Sequence, residues 1–366
     1  MIVVAKIGTS SITDAIGEVD RHAVEKLAAE VAGLRGRGHR VVVVTSGAVA
    51  AGLPALGLAG GARPADLATL QAVSAVGQSR LMRVYDDVLE SHHLVGGQVL
   101  LAPLDFIHRQ QYLHARQTLA RLLDLGVVPV VNENDAIADD ELRFGDNDRL
   151  AALVAHLVGA ELLVLLTDTE GLFTADPRVD SGASLIEEVV EVDHQLESVA
   201  GGAGTDRGSG GMASKLAAAR IAAWSGVRAV IAAAGRPGVL AAAVDGEPGV
   251  GTVVRPRDRR LPARKLWIAF AVGATGTVVV DEGARRAIVE RNTSLLPAGV
   301  KAVQGTFDAE EAVEIADVGG QVFAKGLVRH PAARVAQWAG RRTADLPPEL
   351  PPEVVHRDDL VVLRDG

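Results

Sequence analysis

Two lysines lie in segments whose glycines and hydroxyl groups could surround an anion. The first is Lys6, in the segment KIGTSS, and the second is Lys215, which ends the segment GSGGMASK at residues 208–215. Glycines let backbone N–H groups approach a ligand closely, and the N-terminus of a helix favours negative charge. Both segments are therefore candidates for phosphate binding, although neither GxxxxGKS nor GxxxxGKT occurs in the chain. The alternatives are an ordinary strand-to-helix turn at Lys6 and a surface loop with a solvated lysine at Lys215.

Three further groups of polar residues each follow an apolar run of the kind that forms a buried strand. The first group is the segment TSGA, which begins at Thr45. The second is the segment NEND, which begins at Asn132 and is followed by FGDND at residues 144–148. The third is Thr167 with Asp168, at the end of the run LVLLTD. Seven carboxylates lie between residues 133 and 148. They could hold a divalent cation or the ammonium group of a ligand, although their spacing does not fit an EF-hand. The alternatives are a solvated acidic loop and, at residue 167, a plain strand end.

The residue types that are absent also limit the chemistry. The chain has no cysteine, which excludes disulfides, thiolate metal sites and a cysteine nucleophile and favours a reducing compartment. The ten histidines are scattered without the spacing of a metal site, and no Ser/His/Asp set emerges. The glycine fingerprint of dinucleotide-binding folds is missing as well. The candidate anion-binding segments are therefore the strongest indication of chemistry.

The elements around these segments predict an α/β fold. Five runs are apolar on both faces and indicate buried strands, at residues 2–5, 41–44, 127–131, 162–166 and 227–232. Helical spacing of apolar residues follows the N-cap Asp20 and recurs at residues 67–89, 112–123 and 214–224. Alternating strands and helices predict a mostly parallel sheet with helices on both faces. Ligands bind such sheets at the carboxyl ends of the strands, which is where the polar segments lie.

The pattern changes near residue 254. Residues 254–265, VRPRDRRLPARK, have the composition of a solvated linker. Short strand-like pieces separated by Gly and Asp turns follow at residues 277–280, 299–303, 312–315 and 321–324, and they predict a small all-β unit. We therefore expect a first domain at residues 1–253, a linker at 254–264, a second domain at 265–345 and a tail with several prolines at 346–366.

Composition and charge exclude several classes of protein. The chain has 366 residues with 37 Lys plus Arg and 46 Asp plus Glu, a formal net charge of −9, which argues against wrapping nucleic acid or coating an anionic membrane. Hydrophobic residues make up 48% and charged residues 23%, an ordinary globular mixture. The longest uncharged stretch, residues 41–62, contains five glycines and a proline, so we do not expect a membrane span. The N-terminal residues do not have the pattern of a signal peptide, and we expect a soluble cytoplasmic protein.

Taken in order, several segments are similar to those of one known family. VAKIGTSS, VVVVTSGAVAAG, NENDAI, FGDNDRLAALVA, LLTDTEGLFTADPR and GSGGMASKLAAARIA resemble the amino acid kinase family. After residue 261, the segments DEGARRAI, SLLPAGVKAVQGTF, AKGLVRH and EVVHRDDL resemble a PUA domain. The resemblance covers essentially the whole chain. It implies a three-layer αβα sandwich with a mostly parallel sheet, followed by a small β-barrel PUA-like domain.

The resemblance implies a role for each matching residue. Lys6 and Lys215 would contact the phosphoryl group in transfer, and Asp148 would organise both lysines. Three segments would bind the nucleotide, through Lys6, Gly8, Thr167, Asp168, Ser209, Gly210, Gly211, Met212, Ala213, Ser214 and Lys215. The amino acid would be held by Ser46, Asn134, Asp135 and Asn147. Because we expect Lys215 to be solvated at a helix start, we expect its removal to affect turnover more than the fold.

The implied reaction fits these residue types. The resemblance implies ATP with Mg²⁺ as donor and the γ-carboxylate of L-glutamate as acceptor, in the first step of proline biosynthesis. A carboxylate with a reference pKa of about 4.3 is ionised near pH 7 and needs no general base. The site must supply in-line positioning and positive charge, which lysines, glycine N–H groups and Mg²⁺ provide. Asp135 could pair with the free α-ammonium group of glutamate, which N-acetylglutamate lacks.

Partners and competing functions follow from the same resemblance. It implies inhibition by proline, a homo-oligomer (dimer or tetramer) and a glutamate-5-phosphate reductase as a possible partner. One alternative is a related kinase for N-acetylglutamate, aspartate or carbamate, which the PUA-like region disfavours. The other is a non-catalytic RNA-binding or regulatory protein that acts through the PUA-like region. Residues 262–366 contain 13 basic and 14 acidic residues, which is not the charge expected of an RNA-binding domain.

Overall fold

The computed structural model describes residues 1–14, 17–58, 64, 66–137, 147–177, 179–180, 182–192, 196, 211–258, 260–270, 272–347 and 349–363. The chain forms two compact units, Met1–Arg260 and Leu261–Gly366. No helix in the described ranges combines the length and the apolar character needed to cross a membrane.

Among the described residues, an eight-stranded sheet forms the centre of the first unit. Its strands are β1 (Ile2–Ile7), β2 (Arg40–Val44), β3 (Gly96–Leu101), β4 (Val128–Glu133), β5 (Leu162–Thr167), β6 (Glu188–Val189), β7 (Arg228–Ala233) and β8 (Thr252–Val254). They lie in the order β3-β4-β2-β1-β5-β7-β8-β6, and all neighbours are parallel except β7 and β8. β1, β4 and β5 are buried along their whole length, as expected for parallel strands covered on both faces.

Helices cover both faces of this sheet, which makes the unit an αβα sandwich. They are α1 (Thr9–Ile12), α2 (Arg21–Gly36), α3 (Ala48–Ala55), α4 (Leu67–Ser91), α5 (Leu104–Ile107), α6 (Arg109–Asp124), α7 (Asn147–Val158), α8 (Met212–Trp224) and α9 (Val239–Asp245). Val3 and Ala5 of β1 share a core with α2, α4 and α9. Val4 faces the other way, because successive strand residues alternate, and it is also fully buried. α7 packs against β1 as well.

The five strands predicted from the sequence are confirmed, with ends that differ by no more than two residues. The predicted cap is confirmed too, since the Asp20 carboxylate accepts hydrogen bonds from the N–H groups of His22 and Ala23. β3, β6, β8, α3 and α7 were not predicted from the sequence. β3 begins with two glycines and is partly exposed at the edge of the sheet, and β6 has only two residues, so neither shows a continuous apolar run.

Close contact between α3 and α4 depends on two glycines. A Cβ atom at Gly77 would lie 1.8 Å from the carbonyl oxygen of Ala48, and one at Gly52 would lie 2.0 Å from that of Val73. Real Cβ atoms do not approach so closely, so the two helices can pack in this way only without side chains at these positions. α3 begins directly after the Ser46-Gly47 turn, in which Gly47 has φ of +98°. The contact therefore fixes the segment that follows β2.

The second unit contains a five-stranded mixed sheet with helices. Its strands are β9 (Gly276–Val280), β10 (Val300–Gly305), β11 (Ala312–Ala316), β12 (Val322–Val328) and β13 (Val355–Val362), in the order β10-β9-β11-β12-β13. The helices are α10 (Ala263–Phe270), α11 (Glu282–Arg291) and α12 (Ala332–Trp338), with 3₁₀ turns at Pro297–Gly299 and Thr343–Asp345. Among the described strands of this unit, only β9 and β11 pair in parallel.

Two details of this unit differ from the sequence-based expectation. It is not all-β, because helices stand between the predicted strands; α11, for example, is capped by Asp281, whose carboxylate accepts from the Ala284 N–H at 2.9 Å. The expected tail also contains β13, which pairs with β12. The prolines of that segment precede the strand, and Val355 and Leu360 within it are buried in the core of this unit.

Candidate active site

The carboxyl ends of β4, β2, β1 and β5 lie side by side, because these strands are parallel neighbours in the sheet. Polar residues lie in or directly after all four strand ends: Asn132, Glu133, Thr45, Ser46, Lys6 and Thr167. The first turns of α7 and α8 add Asn147, Asp148, Ser214 and Lys215. The fold therefore brings segments that are far apart in sequence to one edge of the sheet.

Asp148 lies between two lysines at this edge. Its Oδ1 is 2.5 Å from the Nζ of Lys6, and its Oδ2 is 3.3 Å from the Nζ of Lys215. The Oγ of Ser214 donates to the same Oδ2 at 2.8 Å and also lies 2.9 Å from the carbonyl oxygen of Gly211. Asp148 is fully buried, and Lys6 and Lys215 are 4% and 6% exposed. The expectation that Lys215 is solvated is therefore wrong.

Each charged group of this cluster occupies a position that needs a partner. Lys6 lies in a strand that is buried on both faces, where an unpaired ammonium group would be strongly disfavoured. Lys215 lies in the first turn of α8, where the helix dipole opposes a positive charge, whereas Asp148 lies in the first turn of α7, where the dipole favours a negative one. Two buried ammonium groups therefore lie on either side of one carboxylate at this edge of the sheet.

The pKa of Asp148 depends on its burial and on the groups that contact its carboxylate. Burial by itself would raise the pKa of the carboxyl group, but the positive charges of Lys6 and Lys215 and hydrogen bonds from Lys6 and Ser214 outweigh that effect. The pKa of Asp148 is therefore held below its ordinary value. The carboxylate stays ionised at neutral pH and is not a proton donor there.

Backbone from two glycine-containing segments surrounds the cluster. A Cβ atom at Gly8 would lie 3.5 Å from the Nζ of Lys6, so the Gly8 backbone runs beside the ammonium group. Gly211 is the N-cap of α8 and uses no side chain for capping, and Met212 and Ala213 are the first residues of that helix. N–H groups at this position are donors suited to phosphate oxygens. Ser209 and Gly210, two of the predicted nucleotide-binding residues, lie outside the described residues.

Asn147, next to Asp148, belongs to a neutral hydrogen-bond network. Its Nδ2 lies 2.6 Å from the carbonyl oxygen of Thr45, 3.1 Å from the Oγ of Ser46 and 2.6 Å from the Oδ1 of Asn132. The Nδ2 of Asn132 in turn donates to the Oε1 of Gln78 at 2.9 Å. Of the predicted substrate-binding residues, Ser46 and Asn147 are therefore in direct contact.

Asp135 and Asn134 follow β4 at the same edge. The Oγ of Ser74 in α4 donates to the Oδ2 of Asp135 at 3.2 Å, and Asp135 is partly exposed. Asn134 donates its backbone N–H to the carbonyl oxygen of Leu101 at 2.9 Å, which extends the pairing of β3 and β4. Ser74 therefore restrains the side chain of Asp135 at this edge of the sheet.

Thr167 and Asp168 lie at the end of β5, on the other side of β1. The hydroxyl of Thr167 donates to the Oδ1 of Asp168 at 3.0 Å. Thr167 is buried and Asp168 is exposed. No hydrogen bond or ion pair joins either of these two described residues to Lys6, Asp148 or Lys215.

Three residues of α4 that contact the site were not predicted from the sequence. Ser74, Gln78 and Tyr85 are buried, and they bond to Asp135, Asn132 and Thr45 respectively. The Tyr85 hydroxyl lies 2.9 Å from the Oγ1 of Thr45, and burial raises the pKa of Tyr85. Spacings of four and seven residues place these side chains on one helical face. Polar residues on an otherwise apolar face were the signal that could have indicated them.

The described residues do not form a resident metal site. Among them, no group of three or more His, Cys, Asp or Glu side chains could hold a metal ion. Asp148 is occupied by two lysines.

Comparison with known proteins shows which protein family has this fold and the polar site at the edge of its sheet. The sequence profile of the amino acid kinase family matches residues 1–233, and that of the PUA domain matches residues 276–349. The chain therefore belongs to the amino acid kinase family and carries a PUA domain. Giardia lamblia carbamate kinase bound to AMP-PNP has the same fold, with a TM-score of 0.52, 16% identity and coverage of 70% of this chain and 98% of that chain.

Relatives of nearly the same length are named glutamate 5-kinase. The protein of that name from Moorella thermoacetica is 45% identical over 364 residues, covering 98% of this chain and 96% of the relative. The one from Myxococcus xanthus is 46% identical over 365 residues, covering 99% and 96%. The one from Caldanaerobacter subterraneus is 42% identical over 370 residues, covering 100% and 99%.

Proposed function

We propose that the protein is a glutamate 5-kinase, which transfers the γ-phosphoryl group of ATP to the γ-carboxylate of L-glutamate in the first step of proline biosynthesis. The observation that carries this proposal is the buried Lys6–Asp148–Lys215 cluster at the carboxyl edge of the parallel sheet. Similarity over nearly the whole chain to proteins of that name supports glutamate as the acceptor rather than N-acetylglutamate, aspartate or carbamate.

The reaction requires no proton transfer. An oxygen of the γ-carboxylate, already ionised near pH 7, attacks the γ-phosphorus of ATP, and the bond from that phosphorus to the β,γ-bridging oxygen breaks. The electron pair of that bond leaves on ADP, and the product is an acyl phosphate. The absence of a His/Ser pair from the sequence motifs fits this chemistry. The protein has to position two anions in line and compensate their charge.

Lys6 and Lys215 would supply that compensation. Their shared carboxylate holds them at the edge of the sheet, where their ammonium groups would contact the phosphoryl oxygens. Positive groups that are already in place need no rearrangement as the transition state forms, and they act strongly where water is excluded. Asp148 therefore acts as a positioning residue for the lysines.

The two substrates would occupy opposite sides of this cluster. On the side of β2 and β4, Ser46, Asp135 and Asn147 would hold glutamate, with Asn134 beside them. On the other side the nucleotide would lie against Gly8, Asp168 and the start of α8, with Mg²⁺ bound to its phosphates. Asp135 would pair with the α-ammonium group, which an acetylated amine cannot replace.

The proposal also includes an inhibitor, an oligomeric state, a cell compartment and a partner enzyme. Proline shares the α-carboxylate and a cationic α-nitrogen with glutamate, so it would inhibit by competing for Asp135. Exposed apolar side chains near the edge strand β3 support a homo-oligomer, either a dimer or a tetramer: Val95, Leu100, Leu113 and Leu125. The lack of cysteine supports a reducing compartment such as the cytoplasm. The acyl phosphate would pass to a reductase.

Trapping the acyl phosphate with hydroxylamine tests the reaction and the substrate together. The protein is incubated with ATP, Mg²⁺, hydroxylamine and either L-glutamate, N-acetylglutamate or L-aspartate, and the hydroxamate is measured. We expect a signal with L-glutamate alone. A signal with another acid would contradict the choice of substrate, and none from folded protein would contradict the proposed kinase activity.

A matched pair of variants shows whether the activity arises from this site. Lys6→Ala should lower the rate at least about a hundredfold, because it removes a preorganised charge. Lys301→Ala removes an exposed lysine that lies 3.6 Å from Asp281 in the second unit, and it should keep the wild-type rate. Equal rates for the two variants would contradict the role of the buried cluster.

A further inference from the structure

Three amide side chains connect α4 to the start of α7. The Oε1 of Gln78 accepts from the Nδ2 of Asn132 at 2.9 Å, and the Oδ1 of Asn132 accepts from the Nδ2 of Asn147 at 2.6 Å. Gln78 and Asn132 are 8% and 1% exposed, so water does not compete for these bonds. We call Gln78, Asn132 and Asn147 the amide relay.

Two backbone groups fix the direction of the relay. The Oδ1 of Asn132 also accepts from the backbone N–H of Glu133 at 2.9 Å, and the Nδ2 of Asn147 lies 2.6 Å from the carbonyl oxygen of Thr45. A backbone N–H can only donate and a carbonyl can only accept. Exchanging the oxygen and nitrogen of either asparagine amide would therefore place a donor against a donor or an acceptor against an acceptor. Gln78 therefore has to present its oxygen to Asn132.

The direction of the relay decides what Asn147 offers to a ligand. Its Nδ2 is engaged by acceptors of the protein, whereas its Oδ1 receives no hydrogen bond from any described residue. The group of Asn147 that remains for a ligand is therefore an acceptor. An acceptor here suits the N–H groups of an ammonium ion and not a carboxylate.

The position of Gln78 leaves one polar atom of its side chain without a hydrogen bond. Its Nε2 is buried and, among the described residues, has no hydrogen-bond partner. A buried amide donor without a partner is destabilising, and an apolar side chain of similar size would avoid the penalty. The oxygen of the same amide, however, is the acceptor that holds Asn132. The hydrogen bond from Asn132 to the Gln78 oxygen therefore gives a reason for a glutamine here, although its nitrogen is unpaired.

We propose that Gln78 is a positioning residue for the selection of substrates with a free α-amino group. Through Asn132 it holds Asn147 so that the Oδ1 of Asn147 faces the substrate ammonium, beside the carboxylate of Asp135. Ser74, one helical turn before Gln78, restrains that carboxylate. α4 therefore supports both acceptors. This inference rests on the proposed function.

The test compares L-glutamate with glutarate, the same dicarboxylate without the amino group. Gln78→Leu should raise the KM for L-glutamate about tenfold, the effect of losing one hydrogen bond to a charged group, while kcat, the KM for ATP and kcat/KM for glutarate stay near wild type. The glutamate-to-glutarate selectivity should therefore fall about tenfold. Gln78→Met, unbranched and of similar volume, serves as the second variant if Gln78→Leu does not fold.

The control is Met82→Leu, a conservative change one turn further along α4 at a residue of the hydrophobic core. It should leave the selectivity unchanged, because a general disturbance of α4 affects both acids alike. A double-mutant cycle adds the decisive measurement. In an Asn147→Ala background, Gln78→Leu should have no further effect on selectivity, because the residue through which it acts is gone.

The outcomes separate this inference from the proposed function. Wild-type selectivity in Gln78→Leu or Gln78→Met would overturn the relay alone, as would equal losses for glutamate and glutarate. An additive effect of Gln78→Leu in the Asn147→Ala background would also overturn it. No hydroxamate from folded wild-type protein with L-glutamate would overturn the proposed function, and this inference with it.

Discussion

Replacing Asp148 by Asn tests whether one carboxylate holds both lysines. The change keeps the shape of the side chain but removes the charge that lies 2.5 Å from Lys6 and 3.3 Å from Lys215. With an effective dielectric constant of about 20, these attractions are about 7 and 5 kcal/mol before desolvation is counted. Desolvation offsets much of this, and breaking a buried ion pair by removing one partner costs about 3–5 kcal/mol. At about 2–4 °C per kcal/mol for a unit of this size, Asp148→Asn should lower the Tm by roughly 6–20 °C.

The same variant should lose most of its turnover. Without the carboxylate the two ammonium groups repel each other and leave the positions from which they would contact the phosphoryl group. We expect kcat to fall about 10²–10³-fold, the usual effect of removing a preorganised electrostatic group. Hydroxamate formation with saturating ATP and L-glutamate measures kcat, and circular dichroism during heating measures the Tm. A kcat and a Tm close to wild type would refute the reasoning.

Asp245→Asn is the matched control. It makes the same substitution in an exposed ion pair, in which Arg37 and Asp245 are 2.5 Å apart, and exposed pairs contribute little to stability. We expect its Tm and kcat to equal those of wild type. A drop in Tm as large as that of Asp148→Asn would show that removing any carboxylate has this effect.

The pH dependence of stability has a defined sign. The pKa of Asp148 lies below its ordinary value in the folded protein, so its contribution to stability is present above the unfolded pKa of about 3.9 and is lost as the pH falls through the folded value. The difference in unfolding free energy between wild type and Asp148→Asn should therefore be constant at neutral pH. It should shrink only below about pH 4.

Three further variants test other parts of the site. Lys215→Ala should lower kcat at least about a hundredfold and also lower the Tm, because Asp148 loses one of its two partners; unchanged turnover in the hydroxamate assay would contradict this role. Asp135→Asn should raise the KM for L-glutamate about tenfold and leave that for ATP unchanged in initial-rate kinetics, whereas the reverse result would move Asp135 to the nucleotide. Gly77→Ala should destabilise the protein by about 1–3 kcal/mol in urea unfolding and raise the KM for L-glutamate, because the new Cβ pushes the start of α3 away from α4; unchanged unfolding would contradict the close contact.

The central strands could be predicted because their sequence signal is local. Strands such as β1 and β5 are apolar on both faces, and only burial on both faces explains such runs. The edge strand β3 has no such signal, since four of its six residues are exposed or are glycine. β13 was missed because prolines before it suggested a tail, whereas its pairing with β12 is a property of the tertiary structure.

The sequence named candidate site residues, but their arrangement could not be predicted from it. The resemblance named Lys6, Asp148 and Lys215, yet no spacing rule predicts contact between residues so far apart in sequence. That contact depends on parallel strands ending at one edge. The burial of Lys215 could not be predicted either, because a lysine at a helix start is usually solvated. Gln78 was missed because its partner Asn132 lies on a different element, and a single polar residue in a helix does not indicate which residue it will contact.

The start of α7 separates two kinds of surroundings at the edge of the sheet. Asn147 and Asp148 are consecutive, and consecutive helical residues point in different directions. Asn147 faces the neutral groups that follow β2 and β4, whereas Asp148 faces the ammonium groups from β1 and α8. In the proposed reaction, hydrogen bonds of defined direction would recognise the amino acid, and charge would stabilise the phosphoryl group. One helical turn carries both residues, so a shift of α7 would disturb recognition of the amino acid and charge compensation together. For the same reason, an amino acid positioned by Asn147 would lie next to a phosphoryl group positioned by the lysines that Asp148 holds.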